Sequence, residues 1–430
     1  MKVYKFGGAS VKDASGIRNL RNIISDEKEN LVIVVSAFGK TTNALEKVLK
    51  AWFSDDAGYN ILLDEIFRAH RSVTEELFGT DNRVKRKLDK SFFSLKNYLL
   101  NEIKGVIDFE YDQIVSYGEI WSTIIVEGFL KASGMNTEWI DIRRNLITDD
   151  RFRDAGVLWE ESSDRIRTLI NSGKNKIFVT QGFIGGTING KTTTLGREGS
   201  DYTAAILANI LDAEKVVVWK DVSGILNADP KWLPDAQKLD EISYKEAVEM
   251  SFSGAKVIHP KTIKPLQNKN IPLYVKSFLE PSNEGTVIKA DATLKKILPV
   301  FVRKEDQILI SVQPKDFSFV MGDNLGLIFH SFRSHGIKVN LVEASAIIID
   351  VCVDDERAKV DLLIEDLKKG YSAVFNENVE MLSIRHYNTE AINRMTSGRE
   401  ILLEQRTRST VRFVVRSICQ TPVSVPCNLH

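Results

Sequence analysis

Strand-like and helix-like segments alternate through about the first 290 residues, and this alternation restricts the possible folds more than any other feature of the chain. Val3–Phe6 and Leu31–Val35 are short apolar runs of the buried-strand type, and Lys176–Thr180 and Lys215–Trp219 repeat that pattern further along. Segments with helical character lie between them, such as the alanine-rich Asp201–Leu211. The sequence therefore predicts an α/β domain with a mainly parallel sheet sandwiched by helices.

The stretch Glu280–Leu298 marks a change of pattern, because it combines proline, glycine and asparagine with mixed charges. We expect a first domain over residues 1–285 and a second region over residues 300–430. In the second region, shorter strands and helices follow one another as in α+β ferredoxin-like folds. This predicts two small units, at about 306–377 and 378–430, the second of them abbreviated.

The charge balance limits the partners that the chain can have. Lysine plus arginine equals aspartate plus glutamate at 58 each, which argues against nucleic-acid binding and against a polybasic membrane role. No apolar run approaches the roughly 20 residues of a membrane span, and the N-terminus does not have the pattern of a secretory signal. The three cysteines form no CxxC pair, so we expect a cytoplasmic protein.

The first candidate for chemistry is Lys5-Phe6-Gly7-Gly8-Ala9-Ser10, where a strand ends in paired glycines before a helix. Glycines let backbone amides approach an oxyanion closely, and Lys5 supplies a full positive charge beside them. The pattern fits a phosphate site, but it also fits a plain strand–turn–helix connection. The residues alone leave both interpretations open.

Residues 185–192 match the phosphate-binding pattern GxxxxGK[ST], but we reject this match. A helix must follow such a loop, whereas the β-branched residues Thr192, Thr193 and Thr194 follow here. Asn189-Gly190 between strand-like flanks predicts a tight hairpin turn instead.

The segment Leu195–Thr203 places Arg197 between glycines shortly before a helix. Arginine can bind a carboxylate through two parallel hydrogen bonds, which makes Arg197 a candidate for an acidic substrate. Simple capping of the helix by Ser200 or Asp201 also explains the pattern. The two interpretations are compatible.

The loop after Lys215–Trp219 begins where open α/β sheets bind ligands, at the carboxyl end of a strand. Lys220 and Lys231 are candidates for phosphate contacts, and Asp221 and Asp229 for contacts with ribose. Turn geometry alone also explains the two aspartates.

The last candidate segment is Phe252–Pro260, in which Lys256 follows small residues. His259 fits a capping or packed histidine better than a catalytic one, because no partner for it is evident. No grouping of histidine, cysteine and carboxylate has the spacing of a protein metal site. Any Mg²⁺ is therefore expected to arrive with a nucleotide.

Together, these motifs resemble those of aspartate kinases, which belong to the amino acid kinase superfamily, and they occur in that family's order. The matching segments are Lys5–Ser10, Val35–Ala37 with Thr42-Asn43, Ser116–Glu119, Thr180–Phe183, Leu195–Thr203, Asp221–Pro230 and Gly254–Pro260. The region after residue 300 is similar to the paired ACT regulatory units of these enzymes. Since the chain ends soon after that region, it resembles the monofunctional form without a fused homoserine dehydrogenase.

The resemblance implies transfer of the γ-phosphate of ATP to the β-carboxylate of L-aspartate, giving 4-phospho-L-aspartate, the first step toward lysine, threonine and methionine. It implies three groups of residues: catalytic Lys5, Lys256 and Asp201; aspartate-binding Ser36, Thr42, Glu119, Arg197 and Ser200; and ATP-binding Lys5, Gly7, Gly8, Lys220, Asp221, Asp229, Lys231 and Lys256. Lys220 departs from the family, since many relatives have threonine or serine there.

A carboxylate nucleophile is ionised at pH 7, because its pKa is about 4, so no general base is required. The chemistry instead requires positive charge around the transferred phosphate. Another kinase of the superfamily is the nearest alternative, and a catalytically inactive amino-acid sensor is the second. Glu119 and Arg197 suit the ammonium and α-carboxylate of aspartate, and the presence of Lys5 argues against an inactive sensor.

The ACT-like units imply an amino-acid effector, lysine or threonine. They also imply at least a homodimer, since the exposed sheet edges of such units are usually covered by pairing. The predicted effector contacts are Met321, Asp323, Asn324, Asn340, Val342 and Ser345. Asn340 fits a lysine effector poorly, because lysine-inhibited relatives tend to have aspartate there and an amide binds an ammonium less well than a carboxylate does.

Overall fold

The computed structural model describes residues 1–27, 29–80, 82–101, 105–171, 177–255, 257–292, 298–316 and 318–417. The chain divides into two compact units. The first comprises Met1–Ile225, Lys238–Ser251 and Lys256–Leu294, and the second comprises Leu226–Gln237, Phe252–Ala255 and Lys295–His430. Two short segments of the first 285 residues thus belong to the second unit.

The elements up to residue 294 alternate as the sequence indicates. In chain order they are β1 (Lys2–Phe6), α1 (Ala14–Ile24), β2 (Leu31–Val35), α2 (Thr41–Phe53), α3 (Tyr59–Phe78), α4 (Arg83–Tyr98), α5 (Ile107–Val115), α6 (Tyr117–Ala132), β3 (Thr137–Ile140), a 3₁₀ turn (Ile142–Arg144), β4 (Ile147–Thr148), α7 (Trp159–Asn171), β5 (Ile177–Gln181), β6 (Ile184–Thr187), β7 (Thr192–Thr194), α8 (Gly199–Ile210), β8 (Lys215–Lys220), β9 (Ile225–Leu226), β10 (Lys238–Leu239), β11 (Glu241–Ser243), α9 (Tyr244–Ser253), α10 (Pro260–Gln267), β12 (Leu273–Ser277) and β13 (Thr286–Lys289).

An eight-stranded sheet forms the centre of the first unit, in the order β11-β13-β12-β8-β1-β2-β5-β3. β1 pairs in parallel with both β2 and β8, and the β12–β13 pair is antiparallel. β2 is buried at every position, which is why its sequence is apolar without alternation. The predicted mainly parallel sheet is confirmed, and the carboxyl ends of β1, β2, β5 and β8 share one edge.

Apolar residues from the eight-stranded sheet and from helices that pack against it make one core. Phe6 and Ile33 of the sheet belong to it together with Leu45 of α2 and Trp121 of α6. This packing fixes the starts of α2 and α6 relative to the ends of the strands. The loops and first helical turns at that edge therefore hold their side chains in defined positions.

The second unit is built on a six-stranded antiparallel sheet with the order β15-β16-β14-β17-β19-β18. Its elements are β14 (Val300–Pro314), α11 (Asp323–Ser334), β15 (Val339–Ala344), β16 (Ile349–Asp354), α12 (Arg357–Leu367), β17 (Tyr371–Arg385), α13 (Thr389–Thr396), β18 (Arg399–Arg406) and β19 (Thr410–Ser417). β14 and β17 are the longest strands of this sheet, and α11 and α12 come before β17 whereas α13 follows it. An antiparallel sheet with these helices agrees with an ACT-like region. The division into two units, the second abbreviated, stays a prediction.

In the part of the chain that the structure describes, no helix has the length and apolar character needed to cross a membrane.

Candidate active site

A cavity of about 550 Å³ lies in the first unit at the carboxyl edge of the sheet. Nine of the residues predicted to act on substrate or ATP line it: Lys5, Gly8, Ser36, Thr42, Glu119, Arg197, Ser200, Asp201 and Lys220. They come from segments spread over more than 200 residues of sequence. The fold thus brings most of the predicted site residues to one place.

The connection after β1 holds its shape through close backbone contacts. A Cβ at Gly8 would lie 2.4 Å from the carbonyl oxygen of Ala37, so no larger residue fits there without movement. The amide of Gly39 donates a hydrogen bond to the Gly8 carbonyl at 3.0 Å. Gly7 is not among the lining residues, and a Cβ added there would be 3.6 Å from Lys5 Nζ. The paired glycines therefore allow the loops after β1 and β2 to approach each other.

Lys5 and Asp201 form a buried ion pair, with Lys5 Nζ 2.7 Å from Asp201 Oδ1. Lys220 Nζ lies 3.8 Å from the other carboxylate oxygen and donates to the carbonyl of Val257 at 2.9 Å. Burial alone would raise the pKa of Asp201, but the two ammonium groups outweigh it and hold this pKa below its ordinary value. One aspartate thus positions two lysines at the cavity wall.

Glu119 in the first turn of α6 is 2% exposed. Its Oε1 accepts a hydrogen bond from the Ala37 amide at 3.2 Å, whereas its buried Oε2 has no hydrogen-bond partner among the described residues. Burial raises the pKa of Glu119 to about 8, although the Ala37 amide and Lys5 lower it. A buried carboxylate oxygen without a donor is unfavourable, and a ligand cation would relieve it.

Arg197 lies in an exposed turn at the mouth of the cavity, between Gly196 and Glu198. Gly196 has φ +77°, and Glu198 has φ +54°, a left-handed conformation that is uncommon for a residue other than glycine. The predicted capping of α8 by Ser200 or Asp201 is wrong. Glu198 is the N-cap residue of α8, so both side chains lie inside the first helical turn and face the cavity.

The remaining predicted nucleotide contacts that the structure describes do not line this cavity. Asp221 is exposed after β8 and is not among the lining residues. Asp229 and Lys231 belong to the second unit, where Asp229 accepts a hydrogen bond from the Lys231 amide at 2.9 Å. That bond favours the turn-geometry interpretation of Asp229. Lys256 lies outside the described residues.

Two predictions about local structure are confirmed. β6 and β7 form an antiparallel hairpin, with Gly190 at φ +75° in the turn, so residues 185–192 are not followed by a helix. His259 is the N-cap residue of α10, and its Nδ1 accepts from the Lys261 amide at 3.2 Å. Its capping role is the one that the sequence favoured.

Four lining residues lie outside every motif of the sequence: Gly39, Glu46, Tyr111 and Arg153. Arg153 has a positive φ of 71°, and so do Phe183 and Glu198, at 68° and 54°, which lie within motifs but were given no role there. Strained backbone of this kind concentrates at functional sites. A sequence pattern could not have revealed it, because none of these residue types signals a left-handed conformation.

The predicted effector residues lie in the second unit. Met321 is exposed, and Asp323 begins α11, although its side chain lies outside the described part. The side-chain Nδ2 of Asn324 donates to Ser318 Oγ at 3.0 Å and to the Phe319 carbonyl at 2.9 Å. The Asn324 side chain is thus bound within the unit.

Three further effector candidates belong to β15 and the turn after it. The Val342 carbonyl accepts from Gln405 Nε2 at 2.9 Å, and Ser345 Oγ accepts from the Ile348 amide at 3.1 Å. Asn340 is bound on both sides of its amide, as described below. The effector role of all six residues stays a prediction.

The first 277 residues match the model of the amino acid kinase family, and the chain therefore belongs to that family. Lysine-sensitive aspartokinase 3 of Escherichia coli is 30% identical over 385 residues, which cover 88% of this chain and 84% of that protein. Chloroplastic aspartokinase 2 of Arabidopsis thaliana is 31% identical over 387 residues, covering 85% of this chain and 70% of that protein. Within the amino acid kinase family, the chain belongs to the aspartokinases.

The crystal structure of E. coli aspartokinase III in complex with aspartate and ADP matches with a TM-score of 0.81 at 26% identity, over 97% of this chain and 96% of that one. The complex of the same enzyme with lysine and aspartate matches with a TM-score of 0.78. The chain spans only 42% of the bifunctional aspartokinase/homoserine dehydrogenase 2 of A. thaliana. Family membership confirms the resemblance to aspartate kinases that the motifs indicated, and with it the predicted fold class.

Proposed function

We propose that the cavity binds L-aspartate and that its β-carboxylate receives the γ-phosphate of ATP, giving 4-phospho-L-aspartate. The observation that carries this proposal is the buried Oε2 of Glu119, which has no hydrogen-bond partner among the described residues, in one cavity with Arg197 and Lys5. An amino acid with two carboxylates and one ammonium supplies the charges that these three side chains require. The aspartate and ADP bound in the E. coli relative support the same assignment.

Glu119 receives the ammonium of aspartate, and Arg197 binds its α-carboxylate. Ser36, Thr42 and Ser200 line the same cavity and offer hydroxyl groups to the substrate. This arrangement directs the β-carboxylate toward Lys5. Because that carboxylate is already ionised, the protein has to position it and to stabilise charge, and no proton needs to be removed.

Lys5, held by Asp201, meets the charge that develops on the transferred phosphate. Lys220 adds a second ammonium near the same carboxylate and acts on phosphate oxygens in place of the hydroxyl that many relatives have. Asp221, Asp229, Lys231 and Lys256 stay predicted ATP contacts by family resemblance. They complete the set of residues proposed for the nucleotide.

Magnesium is expected to arrive with ATP. No group of three or more histidine, cysteine or acidic side chains suited to a metal is found among the described residues. The cavity acid Asp201 is ion-paired with Lys5, and Mg²⁺ is commonly held by substrate phosphates together with one or two carboxylates. When bound, the metal would neutralise phosphate charge.

The second unit is proposed to bind an amino-acid effector, lysine or threonine, and to pair with a second copy of the chain. Its six-stranded sheet has β15 and β18 at its edges, which are the strands that a second unit could cover. The lysine complex of the E. coli relative supports an effector role. The reaction would then be regulated in the pathway toward lysine, threonine and methionine.

A hydroxamate assay tests the proposed function, because hydroxylamine traps acyl phosphates. We expect product that depends on ATP and L-aspartate, and little product when L-glutamate replaces aspartate. Equal product with glutamate would favour another kinase of the family. Absence of product with either amino acid, in folded protein, would favour an amino-acid sensor.

A further inference from the structure

Arg153 lines the cavity although no motif of the sequence includes it. Its guanidinium lies 4.1 Å from the centre of the Tyr111 ring, and its Nη1 lies 3.4 Å from Asp108 Oδ1. The Arg153 and Asp108 side chains are about half exposed, so their ion pair is weak and easily exchanged for another anion. The guanidinium is thus held at the mouth of the cavity and remains available to a ligand.

The backbone of Arg153 is left-handed, with φ +71°. A residue with a side chain adopts this conformation only where its surroundings stabilise it. Here the stabilising group is Asp112, which is fully buried and whose two oxygens lie 3.2 and 3.0 Å from the Arg153 amide nitrogen.

Asp112 also binds the end of β7. The Thr194 amide donates to Asp112 Oδ2 at 2.8 Å, and the Thr194 hydroxyl donates to Oδ1 at 2.7 Å. Burial raises the pKa of Asp112 to about 6, whereas the bonds from Thr194 and Arg153 lower it. The carboxylate is therefore mainly ionised at neutral pH and can accept all of these bonds.

The two segments held by Asp112 also contact each other next to Arg197. The Ala155 amide donates to the Thr194 carbonyl at 2.9 Å. A Cβ at Gly196 would lie 2.4 Å from Asp154 Oδ1 and 3.4 Å from the Arg153 carbonyl oxygen. The loop that carries Arg153 is thus packed against the loop that carries Arg197.

We propose that Arg153 is a second substrate-binding arginine of this cavity, and that Asp112 is the positioning residue that fixes both arginine loops. The ligand group is the α-carboxylate of the amino-acid substrate, which Arg197 also binds in the proposed function, since a guanidinium beside Arg197 matches a planar anion. This inference rests on the proposed function of the cavity. On binding, the substrate carboxylate replaces Asp108 at the Arg153 guanidinium.

The experiment compares aspartate KM, ATP KM and kcat for Arg153→Ala, Arg153→Lys and Asp112→Asn. Gln113→Ala is the matched control, because Gln113 is the next residue of α5 and binds the same hairpin at Thr192, with bonds of 2.8 and 3.2 Å. Its side-chain hydrogen bonds go to Phe109 and Thr192, and none found among the described residues reaches either arginine loop. It therefore reports what loosening the hairpin does by itself.

We expect Arg153→Ala to raise the aspartate KM about tenfold, with kcat and the ATP KM within about threefold of wild type. Arg153→Lys should recover part of the loss, because it keeps the charge but not the two-pronged geometry. Asp112→Asn places an amide NH₂ against backbone donors and should also raise the aspartate KM about tenfold. The double variant Arg153→Ala with Asp112→Asn should lose less than the product of the single losses, since Asp112 acts in part through Arg153.

Gln113→Ala should lower the unfolding temperature while changing the aspartate KM less than twofold. An unchanged aspartate KM in Arg153→Ala, a surface change that leaves the core intact, would overturn the proposal. Equal KM changes in Asp112→Asn and Gln113→Ala would overturn the positioning role. The wild-type hydroxamate assay comes first: if it shows no aspartate-dependent product, the proposed function has failed, whereas product with an unaltered Arg153→Ala variant removes only this inference.

Discussion

The cavity of the first unit and the polar cluster around Asn340 in the second contain similar groups but differ in how these groups are paired. In the cavity, Glu119 Oε2 is buried and has no hydrogen-bond partner among the described residues. In the Asn340 cluster, the Asn340 amide oxygen accepts from Lys304 Nζ at 2.8 Å, and its nitrogen donates to Gln307 Oε1 at 2.8 Å and to Asp354 Oδ1 at 2.9 Å. A polar group left unpaired inside a protein indicates a place for a ligand, whereas a satisfied network indicates structure.

This difference bears on the predicted effector site. Lys304 already brings an ammonium to Asn340 and to Asp354, whose oxygen lies 2.5 Å from it. Both sides of the Asn340 amide are thus bound within the unit. If an effector binds the second unit, its ammonium must find another acceptor or displace Lys304.

Among the substitutions in the cavity, removal of the Lys5 side chain is expected to reduce activity most. Lys5→Ala should lower kcat by roughly 10²-fold or more and change both KM values far less, because the lysine meets charge that develops during transfer. Initial rates at saturating ATP and aspartate measure this effect. Lys2→Ala is the matched control, since Lys2 belongs to the same strand but pairs with Glu27 at 3.0 Å and does not line the cavity. A near-normal kcat for Lys5→Ala would remove Lys5 from the mechanism.

The second largest effect is expected for Arg197 and Glu119, the two residues proposed to bind the charged groups of aspartate. Arg197→Ala and Glu119→Ala should each weaken aspartate use by roughly 2–4 kcal/mol, because each leaves a substrate charge unpaired, while ATP binding stays near normal. Separate titrations of aspartate and ATP measure the two effects. Arg151→Ala serves as the control, since Arg151 pairs with Asp149 at 2.8 Å and does not line the cavity. An equal loss of ATP affinity in both variants would contradict the assignment.

Glu119 also gives the cavity a pH dependence that the Asn340 cluster should not share. With a pKa of about 8, its side chain is mostly neutral at pH 6.5 and mostly ionised at pH 8.5. The aspartate ammonium requires the ionised form, so the aspartate KM should fall as the pH rises and should level off above 8. The expected fall between these pH values is roughly tenfold or more. KM measured against pH tests this, and Glu119→Gln should give a flat profile over the same range.

A substitution in the Asn340 cluster should lower the stability of the protein and leave the aspartate KM unchanged. Asn340→Ala leaves Gln307, which is 1% exposed, without one of its partners and should lower the free energy of unfolding by about 1–2 kcal/mol. Urea unfolding measures the loss, and the aspartate KM should stay within twofold. Asn393→Ala on the exposed face of α13 is the control. A changed aspartate KM with unaltered stability would show that the comparison between the two clusters is wrong.

Much of the fold could be predicted from the sequence because its signals are local. The buried run Leu31–Val35, the turn at Asn189-Gly190 and the capping by His259 each depend on neighbours within a few residues. The cavity itself could be predicted only through family motifs. Residues named through those motifs, such as Lys5, Glu119 and Arg197, line it.

The missed features depend on contacts between distant residues. Asp112 binds Arg153 across 41 positions and Thr194 across 82, and nothing in the local sequence connects them. The start of α8 was missed because the N-cap is the left-handed Glu198, which precedes the expected caps Ser200 and Asp201. The inclusion of Leu226–Gln237 in the second unit likewise depends on packing with distant residues, such as that of Leu233 in one core with Phe301.

The smallest expected effect concerns Lys191, in the segment that matches a phosphate-binding loop by sequence alone. Lys191 ends the turn between β6 and β7, where its amide donates to Thr187 Oγ1 at 3.1 Å and its ammonium lies 5.8 Å from the Phe109 ring centre. It does not line the cavity, so Lys191→Ala should leave kcat and both KM values within a fewfold of wild type. Lys5→Ala in the same assay provides the contrast. Lys5 precedes a glycine-containing turn and Lys191 follows one, but of these two lysines it is Lys5 that pairs with Asp201. Loss of ATP binding in Lys191→Ala would mean that the hairpin approaches the nucleotide. Lys191 would then belong to the ligand-binding residues of the first unit.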